Sequence, residues 1–318
     1  MQNSYEIIDL KPRLSDFKKD VINGLLSENK WISPKFFYDR TGSELFEEIT
    51  KLDEYYPTRA ELEILKDKAS EIGEVIGKDV SLTELGSGNG KKSVLLAKCL
   101  TNPREVILVD ISMDALKDAL RRFGMECPNI PAKAVCADYT AIDIMSSIKM
   151  AGRKAIVFLG STIGNMEPPE QQSFIAGCRK VLREGETFTM GADLKKDPDV
   201  IERAYNDSKG ITSMFNLNLI ARINREFGIN IPSDAFRHHA FYNSKEGRVE
   251  MHLISTRDQS YNIGGFTIRF REGESIHTEN SYKFSTSDLE GMLTEAGFNE
   301  THVWKDSKDL YALITAVV

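Results

Sequence analysis

Three regularly spaced glycines are the clearest chemical feature of this chain. The segment SLTELGSGNGKKS places Gly86, Gly88 and Gly90 between an apolar run and a helical pattern. Glycine permits tight turns and a close approach of the backbone to a ligand, and the N-terminus of a following helix favours an anionic group. The spacing is neither G-x-G-x-x-G nor the G-x-x-x-x-G-K-[ST] of a phosphate-binding loop. The turn therefore predicts a ligand site, but neither a dinucleotide site of the G-x-G-x-x-G type nor a phosphate-binding loop.

Acidic residues end the next two apolar runs. Asp110 closes the run EVILVD, and Asp138 and Tyr139 follow the run AKAVCA. An acidic side chain at the carboxyl end of the second strand can accept bonds from both hydroxyls of a ribose. Taken singly, these residues are as typical of a turn or a helix cap. Because they follow successive strands, they together predict a cofactor of the nucleotide type.

The spacing E-x-G-x-G-x-G, which begins at Glu84, resembles the first motif of S-adenosylmethionine (SAM)-dependent methyltransferases. In those enzymes the acidic residue and the glycines line the methionine part of the cofactor. An acidic residue after the third strand often bonds the adenine amino group there, with an aromatic neighbour against the ring. The resemblance therefore favours SAM over NAD as the cofactor.

A second resemblance extends from residue 16 to the C-terminus. Six segments, in this order, are similar to the histidine-specific α-N-methyltransferases of ergothioneine biosynthesis: FFYDRTGSELFEEIT, LDEYYPTR, ELGSGNGKK, VFLGSTIGN, RAYND and TENSYKF. Generic methyltransferases do not carry EYYPTR or GSTIGN. The family converts L-histidine to hercynine by three methyl transfers from SAM, and the resemblance implies this activity. It also implies a Rossmann-like domain and a second domain that closes over histidine.

The resemblance further implies individual roles for site residues. Tyr38 and Tyr205 would bind the substrate carboxylate, and Asn165 with the Gly160 backbone would hold the α-amino group near the sulfonium methyl. The residues implied to surround the imidazole are Tyr56, Glu279, Ser281 and Met251. The residues implied to bind the cofactor are Gly86, Lys92, Asp110, Asp138 and Tyr139. The chain departs from the family at Asn280, where an apolar residue is usual.

These residue types suit a free amino acid with a polar ring. Tyrosine hydroxyls can donate to a carboxylate, asparagine offers both a donor and an acceptor, and a glutamate can accept a ring N–H. Without the family, Glu279 would be a solvated carboxylate and the tyrosines packed aromatics with satisfied hydroxyls. Two alternatives stay open: a methyltransferase for tryptophan or tyrosine, and a non-catalytic SAM-binding subunit.

Other kinds of site have little support. The five histidines lack an HExxH-like spacing, and adjacent residues such as His238 and His239 point opposite ways on a strand, so we predict no metal site. The four cysteines include no CxxC pair and are interpreted as buried thiols. The segment GSTIG differs from the G-x-S-x-G nucleophile elbow, so Ser161 is not expected to act as a nucleophile.

The elements that would position these residues follow an alternating pattern. Short apolar runs at 80–85, 105–110, 132–137, 154–160 and 187–193 alternate with helical patterns, which predicts a parallel sheet covered on both faces. Residues 13–29, with Leu14 on the apolar face, and residues 59–76 each read as one helix, whereas 31–60 is rich in loops. The last two runs, THVWKD and LYALITAVV, predict a hairpin that adds an antiparallel strand.

The alternation lapses between 195 and 285, which predicts a domain split by an insertion. We predict an α/β fold: a Rossmann-like class I methyltransferase sheet formed by 61–194 and 286–318, and a smaller α+β substrate-binding domain formed by 14–60 and 195–285. A net charge of −7 and the lack of a basic run argue against nucleic-acid binding. The sequence shows neither a membrane span nor a signal peptide. We expect a cytoplasmic monomer.

Overall fold

The computed structural model describes residues 6–10, 17–140 and 147–318. The strands of these residues, in chain order, are β1 (Glu6–Asp9), β2 (Val80–Leu85), β3 (Glu105–Asp110), β4 (Ala132–Cys136), β5 (Arg153–Phe158), β6 (Thr187–Asp193), β7 (Phe236–Asn243), β8 (Arg248–Ser255), β9 (Gln259–Ile263), β10 (Phe266–Phe270), β11 (Ser275–Tyr282), β12 (Glu300–Lys305) and β13 (Tyr311–Val317). The α-helices are α1 (Phe17–Leu26), α2 (Arg40–Ile49), α3 (Tyr56–Asp67), α4 (Ala69–Ile76), α5 (Lys91–Cys99), α6 (Met113–Glu126), α7 (Pro168–Lys180), α8 (Pro198–Tyr205), α9 (Ile211–Phe227) and α10 (Thr286–Glu295).

The chain forms two compact units, each built from separate segments. Among the described residues, the first unit comprises 6–10, 57–140, 147–194 and 284–318, and the second comprises 17–56 and 195–283. The domain boundaries expected from the sequence stay a prediction. The assignment of cofactor to one unit and substrate to the other stays a prediction. Leu14, predicted on the apolar face of the first helix, lies outside the described residues.

An eight-stranded sheet forms the centre of the first unit, in the order β1-β4-β3-β2-β5-β6-β13-β12. The strands from β1 to β6 are parallel, β13 runs antiparallel to β6, and β12 pairs with β13 as the predicted hairpin. Every residue of β2 is buried, because the sheet is covered on both faces. The strand order reverses between β2 and β5, and ligands of open α/β sheets bind at such a point. The predicted α/β class is confirmed.

The second unit contains a three-stranded antiparallel sheet in the order β11-β8-β7 and a β9–β10 hairpin. Helix α9 packs against α2 and against the sheet strand β7. Trp31 forms a parallel bridge to His277, which ties the N-terminal segment of this unit to β11. This mixture of helices and antiparallel strands matches the predicted smaller α+β body.

Two local predictions were wrong, and one short strand was missed. The segment expected to be loop-rich contains α2, which begins after Asp39 because the Asp39 carboxylate accepts the Gly42 N–H at 2.8 Å. The single helix expected over 59–76 is two helices, separated at Lys68, where ψ is 10°. The short edge strand β1 gave no recognisable pattern, since four residues are too few to show a period.

Candidate active site

The glycine turn after β2 folds back onto the end of β3. The N–H groups of Gly86 and Ser87 both donate to the Val109 carbonyl, at 2.8 and 3.0 Å. Gly86 has a φ of 69°, in the left-handed region that favours glycine. A Cβ at Gly86 would lie 3.4 Å from the Tyr139 ring, so the absence of a side chain keeps the space beside that ring open. The turn thereby leaves backbone accessible at the carboxyl edge of the sheet.

Asp110 stands at the end of β3, beside this turn. One carboxylate oxygen accepts the Gly88 N–H at 2.9 Å, and the other accepts the Ser112 N–H at 2.9 Å. Burial raises the pKa of Asp110 above its ordinary value, and these backbone donors oppose the rise. A carboxylate has about four acceptor sites, so both oxygens retain capacity for the two hydroxyls of a ribose.

Asp138 and Tyr139 lie after β4, on the same edge of the sheet. The Asp138 carboxylate accepts the N–H of Thr140 at 3.0 Å. Tyr139 packs edge-on against Phe158, with ring centroids 5.5 Å apart, and burial raises the pKa of its hydroxyl. A fixed aromatic face next to a carboxylate can bind a planar heterocycle that carries an N–H donor.

Glu84, which opens the glycine motif, is buried within the first unit. The Ser93 hydroxyl, in the first turn of α5, donates to its carboxylate. Burial raises the pKa of Glu84 to about 7, and Ser93 and Lys92 act in the opposite direction. Glu84 therefore titrates near neutral pH in the folded protein.

Glu61 is a site residue that the sequence analysis missed. Its fully buried carboxylate accepts the Gly160 N–H at 2.7 Å and the Tyr311 hydroxyl at 2.6 Å, and it lies 2.5 Å from Lys92 Nζ. Glu61 therefore positions two of the predicted site residues. The available signal was its place on the apolar face of α3, since a glutamate there needs buried partners.

Two predicted substrate residues follow β5 in the first unit. Gly160 has a φ of 83° and lies two residues before a short 3-10 turn, Thr162–Asn165, whose last residue is Asn165. Ser161 has a φ of 56°, which is uncommon for a residue with a side chain, and its hydroxyl accepts the Asp193 N–H at 2.9 Å. The backbone at this turn is thus held in an unusual conformation, which is typical of ligand sites.

The first unit fits a nucleoside cofactor such as SAM. Asp110 suits the ribose diol, Tyr139 with Asp138 suits a planar base, and the glycine turn leaves room for close backbone contact. These groups meet at the carboxyl edge of adjacent parallel strands, where the strand order reverses.

In the second unit, three predicted imidazole contacts share one face of the β8–β11 pair. Glu279 lies directly opposite Met251 in the strand register, and Ser281 lies two residues further along β11. Residues opposite each other and residues two apart point to the same face. A β-bulge between His277 and Glu279 sets this phase. The face combines a carboxylate, a hydroxyl and a buried thioether.

Tyr205 joins this group through its hydroxyl. It donates to Ser281 Oγ at 2.8 Å, and Lys283 Nζ lies 2.8 Å from Ser281 Oγ and 3.0 Å from the Tyr205 oxygen. Lys283, only 2% exposed, was missed by the sequence analysis. Its signal was a lysine in TENSYKF at the buried end of a strand, where a cation requires partners.

The remaining predicted tyrosines lie in an aromatic region of the same unit. Tyr38 is 45% exposed and packs edge-on against Phe46, with ring centroids 5.6 Å apart. Phe46 contacts Tyr55, which in turn contacts the Tyr205 ring at 6.4 Å. The Tyr56 hydroxyl accepts a hydrogen bond from Lys196 Nζ at 2.7 Å. The structure thus links Tyr38 to Tyr205 through neighbouring rings and gives Tyr56 a lysine partner.

Asn280 belongs to the opposite face of the same strands. Its side-chain oxygen lies 2.9 Å from His277 Nε2, and Glu250 is its partner in the strand register. The polar residue at this position therefore points away from Glu279 and Ser281, and it adds no polar group to their face.

None of the helices in 6–10, 17–140 and 147–318 has the length and apolar character required to cross a bilayer.

Comparison with known proteins covers both units. A family model described as "Histidine-specific methyltransferase, SAM-dependent" matches residues 17–318. The histidine N-alpha-methyltransferase of Mycolicibacterium smegmatis is 38% identical over 305 residues, which cover 94% of each chain. The ergothioneine biosynthesis protein 1 of Neurospora crassa is 30% identical over 84% of this chain and 31% of its own length. A solved structure described as a possible exported protein from Bordetella parapertussis is similar in fold alone, with a TM-score of 0.53 at 9% identity over 88% of this chain and 83% of that one.

Proposed function

Because this chain belongs to the family of histidine-specific, SAM-dependent methyltransferases, we propose that it transfers three methyl groups from SAM to the α-amino nitrogen of L-histidine and so forms hercynine. The observation that carries the substrate assignment is the shared face of Glu279, Ser281 and Met251, together with the match over residues 17–318. The name of the similar Neurospora crassa protein, ergothioneine biosynthesis protein 1, supports a role for this reaction in ergothioneine biosynthesis.

The proposed cofactor residues are Gly86, Lys92, Asp110, Asp138 and Tyr139. Asp110 would accept from the ribose hydroxyls, and Asp138 with Tyr139 would hold the adenine. Lys92 would act through Glu61, because their ion pair fixes the carboxylate that binds the Gly160 N–H. When bound, SAM supplies an electrophilic methyl group on a sulfonium. The protein contributes no covalent step and acts mainly by positioning.

The proposed substrate residues divide the polar groups of histidine among them. Tyr38 and Tyr205 would donate to the carboxylate, and Asn165 with the Gly160 backbone would orient the amine so that its lone pair faces the methyl donor. Glu279 and Ser281 would each contact an imidazole nitrogen, beside Tyr56 and Met251. Water would accept the ammonium proton before each transfer. After the third methyl the nitrogen has no lone pair, and the reaction stops.

The test of the substrate assignment is the variant Glu279→Ala. A half-buried carboxylate stabilises a ring that carries an N–H and disfavours an apolar ring, because an apolar ring would leave the charge unpaired. Competition of histidine against tryptophan, tyrosine and phenylalanine should show histidine preferred by the unaltered protein. Glu279→Ala should lower histidine turnover by about tenfold or more and leave SAM affinity nearly unchanged. It should also reduce the preference for histidine over the other aromatic amino acids. Adding Met251→Val should reduce the preference for histidine over tryptophan further, because it makes room for an indole.

The matched control is Glu272→Ala, which removes an exposed glutamate of the same unit and should leave turnover and preference unchanged. A protein that prefers tryptophan or tyrosine would overturn the substrate assignment. Unchanged selectivity in Glu279→Ala would overturn only the role of that residue.

Mass spectrometry after incubation with SAM and each of the twenty amino acids separates the remaining alternatives. Three added methyl groups on histidine alone are expected. Methylation of tryptophan or tyrosine instead would support a methyltransferase for that amino acid. No methylation of any amino acid would support a non-catalytic SAM-binding subunit. The cytoplasmic location and the monomeric state stay predictions.

A further inference from the structure

Three histidines form a row across the sheet of the second unit. His239 on β7 lies opposite His252 on β8, and His252 lies opposite His277 on β11. Residues that are opposite in register project from the same face, so the three rings are neighbours. The centroids of the His252 and His277 rings are 5.0 Å apart. The pairing of β7, β8 and β11 brings these residues together, which is why their spacing in the sequence did not resemble a metal-binding motif.

Glu250 adds a carboxylate to this row. One of its oxygens lies 3.1 Å from His252 Nε2, while the other accepts from Asn243 Nδ2 and Arg248 Nε, each at 3.0 Å. One donor atom from each of Glu250, His252 and His277 lies within 4.8 Å of the others. Asn243 and Arg248 thus orient the carboxylate by hydrogen bonds, as partners of the ligands do in metal sites.

The hydrogen bonds of His277 leave one of its nitrogens available to a metal. Nε2 lies 3.1 Å from the Glu279 carbonyl oxygen and 2.9 Å from the Asn280 side-chain oxygen. Both partners are acceptors, so Nε2 carries the proton and Nδ1 holds the lone pair. A histidine that ligates a metal commonly donates its other ring N–H to a carbonyl in this way.

His252 offers a second imidazole nitrogen next to Glu250. Its Nε2 lies 3.1 Å from a Glu250 carboxylate oxygen, so Nε2 is the nitrogen that an ion shared with Glu250 would bind. Its Nδ1 is buried and has no hydrogen-bond partner among the residues that the structure describes. The cluster borders a partly open cavity of about 450 Å³, through which an ion could enter.

We propose that Glu250, His252 and His277 bind a divalent transition-metal ion of the Zn²⁺ class. Imidazole nitrogens with one carboxylate oxygen are a usual ligand set for zinc, with the remaining position open to water. The donors must draw together, because ligands of one zinc ion lie roughly 3–3.5 Å apart at bond lengths near 2 Å. Of the neighbouring cations, Lys30 is paired with Glu274 and Arg248 with Glu250. The site lies on the face of β8 and β11 opposite Glu279 and Met251, and it is separate from methyl transfer.

The experiment is calorimetric titration of the tag-free, EDTA-treated full chain with ZnCl₂ alone. One ion per chain is expected, with a rise in Tm, because a ligand that binds only the folded protein stabilises it. Titration with CoCl₂ should give visible absorption bands of a low-coordinate site. His277→Gln retains an N–H donor for Asn280 and removes the ligating nitrogen, so zinc affinity should fall at least tenfold. Glu250→Gln should act in the same direction.

The matched control is His302→Ala in the first unit. His302 lies 3.0 Å from Glu300, so it also pairs with a glutamate, but the other four histidines of the sequence belong to the second unit. The zinc affinity of this variant should equal that of the unaltered protein. A circular dichroism spectrum and a zinc-free Tm equal to those of the unaltered protein would show that the variants are folded. No saturable binding of zinc, or undiminished binding by His277→Gln, would overturn the proposal.

Discussion

Three carboxylates of the first unit are held by donors from elsewhere in the chain. Asp110 accepts two backbone N–H groups, Glu61 holds Gly160, Tyr311 and Lys92, and Glu84 accepts from Ser93. Each carboxylate is fixed by groups on other elements, so a change at one such residue acts on geometry as well as on charge.

Asp110→Ala should weaken SAM binding about tenfold or more, since hydrogen bonds to a charged group contribute about 1.5–3 kcal/mol each. Calorimetry with SAM provides the measurement. Asp114→Ala is the control, because its exposed carboxylate on α6 pairs with Lys117 at the protein surface. Unchanged affinity in a folded Asp110→Ala protein would remove Asp110 from the cofactor site.

Glu84 predicts a specific pH dependence of stability. Its folded pKa, about 7, is raised by burial from 4.5, so the folded state binds the proton more tightly than the unfolded state. The resulting stabilisation is fully present below pH 4.5 and is lost as pH rises through 7. Without ligand, the Tm of the unaltered protein should therefore fall relative to that of Glu84→Gln between pH 5 and pH 8. Parallel Tm curves over this range would show that Glu84 is ionised throughout.

At the scale of elements, the alternating sheet could be predicted more reliably than the segments that complete the site. Strands β2, β3 and β6 have the predicted bounds, because runs such as EVILVD are buried on both faces and leave no ambiguity of phase. Helix α2 was missed because its stability comes from one capping aspartate and from packing on α9, which lies far along the chain. The bulge that turns Glu279 to the face of Met251 likewise depends on pairing and has no local signal.

The cap of α2 is itself testable. Asp39 accepts from Gly42 N, Asn218 Nδ2 and Arg225 Nη2 at 2.7–2.8 Å. Burial opposes ionisation, but these donors together hold the pKa of Asp39 below its ordinary value. Asp39→Ala should lower stability by roughly 1–2 kcal/mol at pH 7. Because the pKa is depressed on folding, this difference should shrink as pH falls below 4.

Thermal or denaturant unfolding of Asp39→Ala at pH 7 and at pH 3.5 measures this difference. Glu44→Ala removes an exposed ion pair on the same helix and should change stability by no more than about 0.5 kcal/mol. Equal stability of Asp39→Ala and the unaltered protein would mean that the cap contributes nothing measurable.

At the scale of the whole molecule, the residues that we propose to bind the substrate L-histidine are divided between the two units. Gly160 and Asn165 belong to the first, and Tyr205, Glu279 and Ser281 belong to the second. The sequence motifs suggested these residues, and their roles stay predictions. The buried partners Glu61 and Lys283 emerged only from the fold, because their contacts join elements that are distant in sequence.

This division predicts thermodynamic coupling between the two ligands. If residues of the first unit hold the amine of histidine next to the cofactor, bound S-adenosylhomocysteine, the product of SAM, should make histidine binding more favourable. We expect S-adenosylhomocysteine to raise histidine affinity at least about fivefold, and histidine must then raise S-adenosylhomocysteine affinity by the same factor. Calorimetric titration in both orders measures the two factors independently.

The variant Asn165→Ala should reduce the coupling more than it reduces S-adenosylhomocysteine affinity, because Asn165 is assigned to the amine. Equal histidine affinity with and without S-adenosylhomocysteine would contradict a site in which residues of the cofactor unit hold the substrate amine.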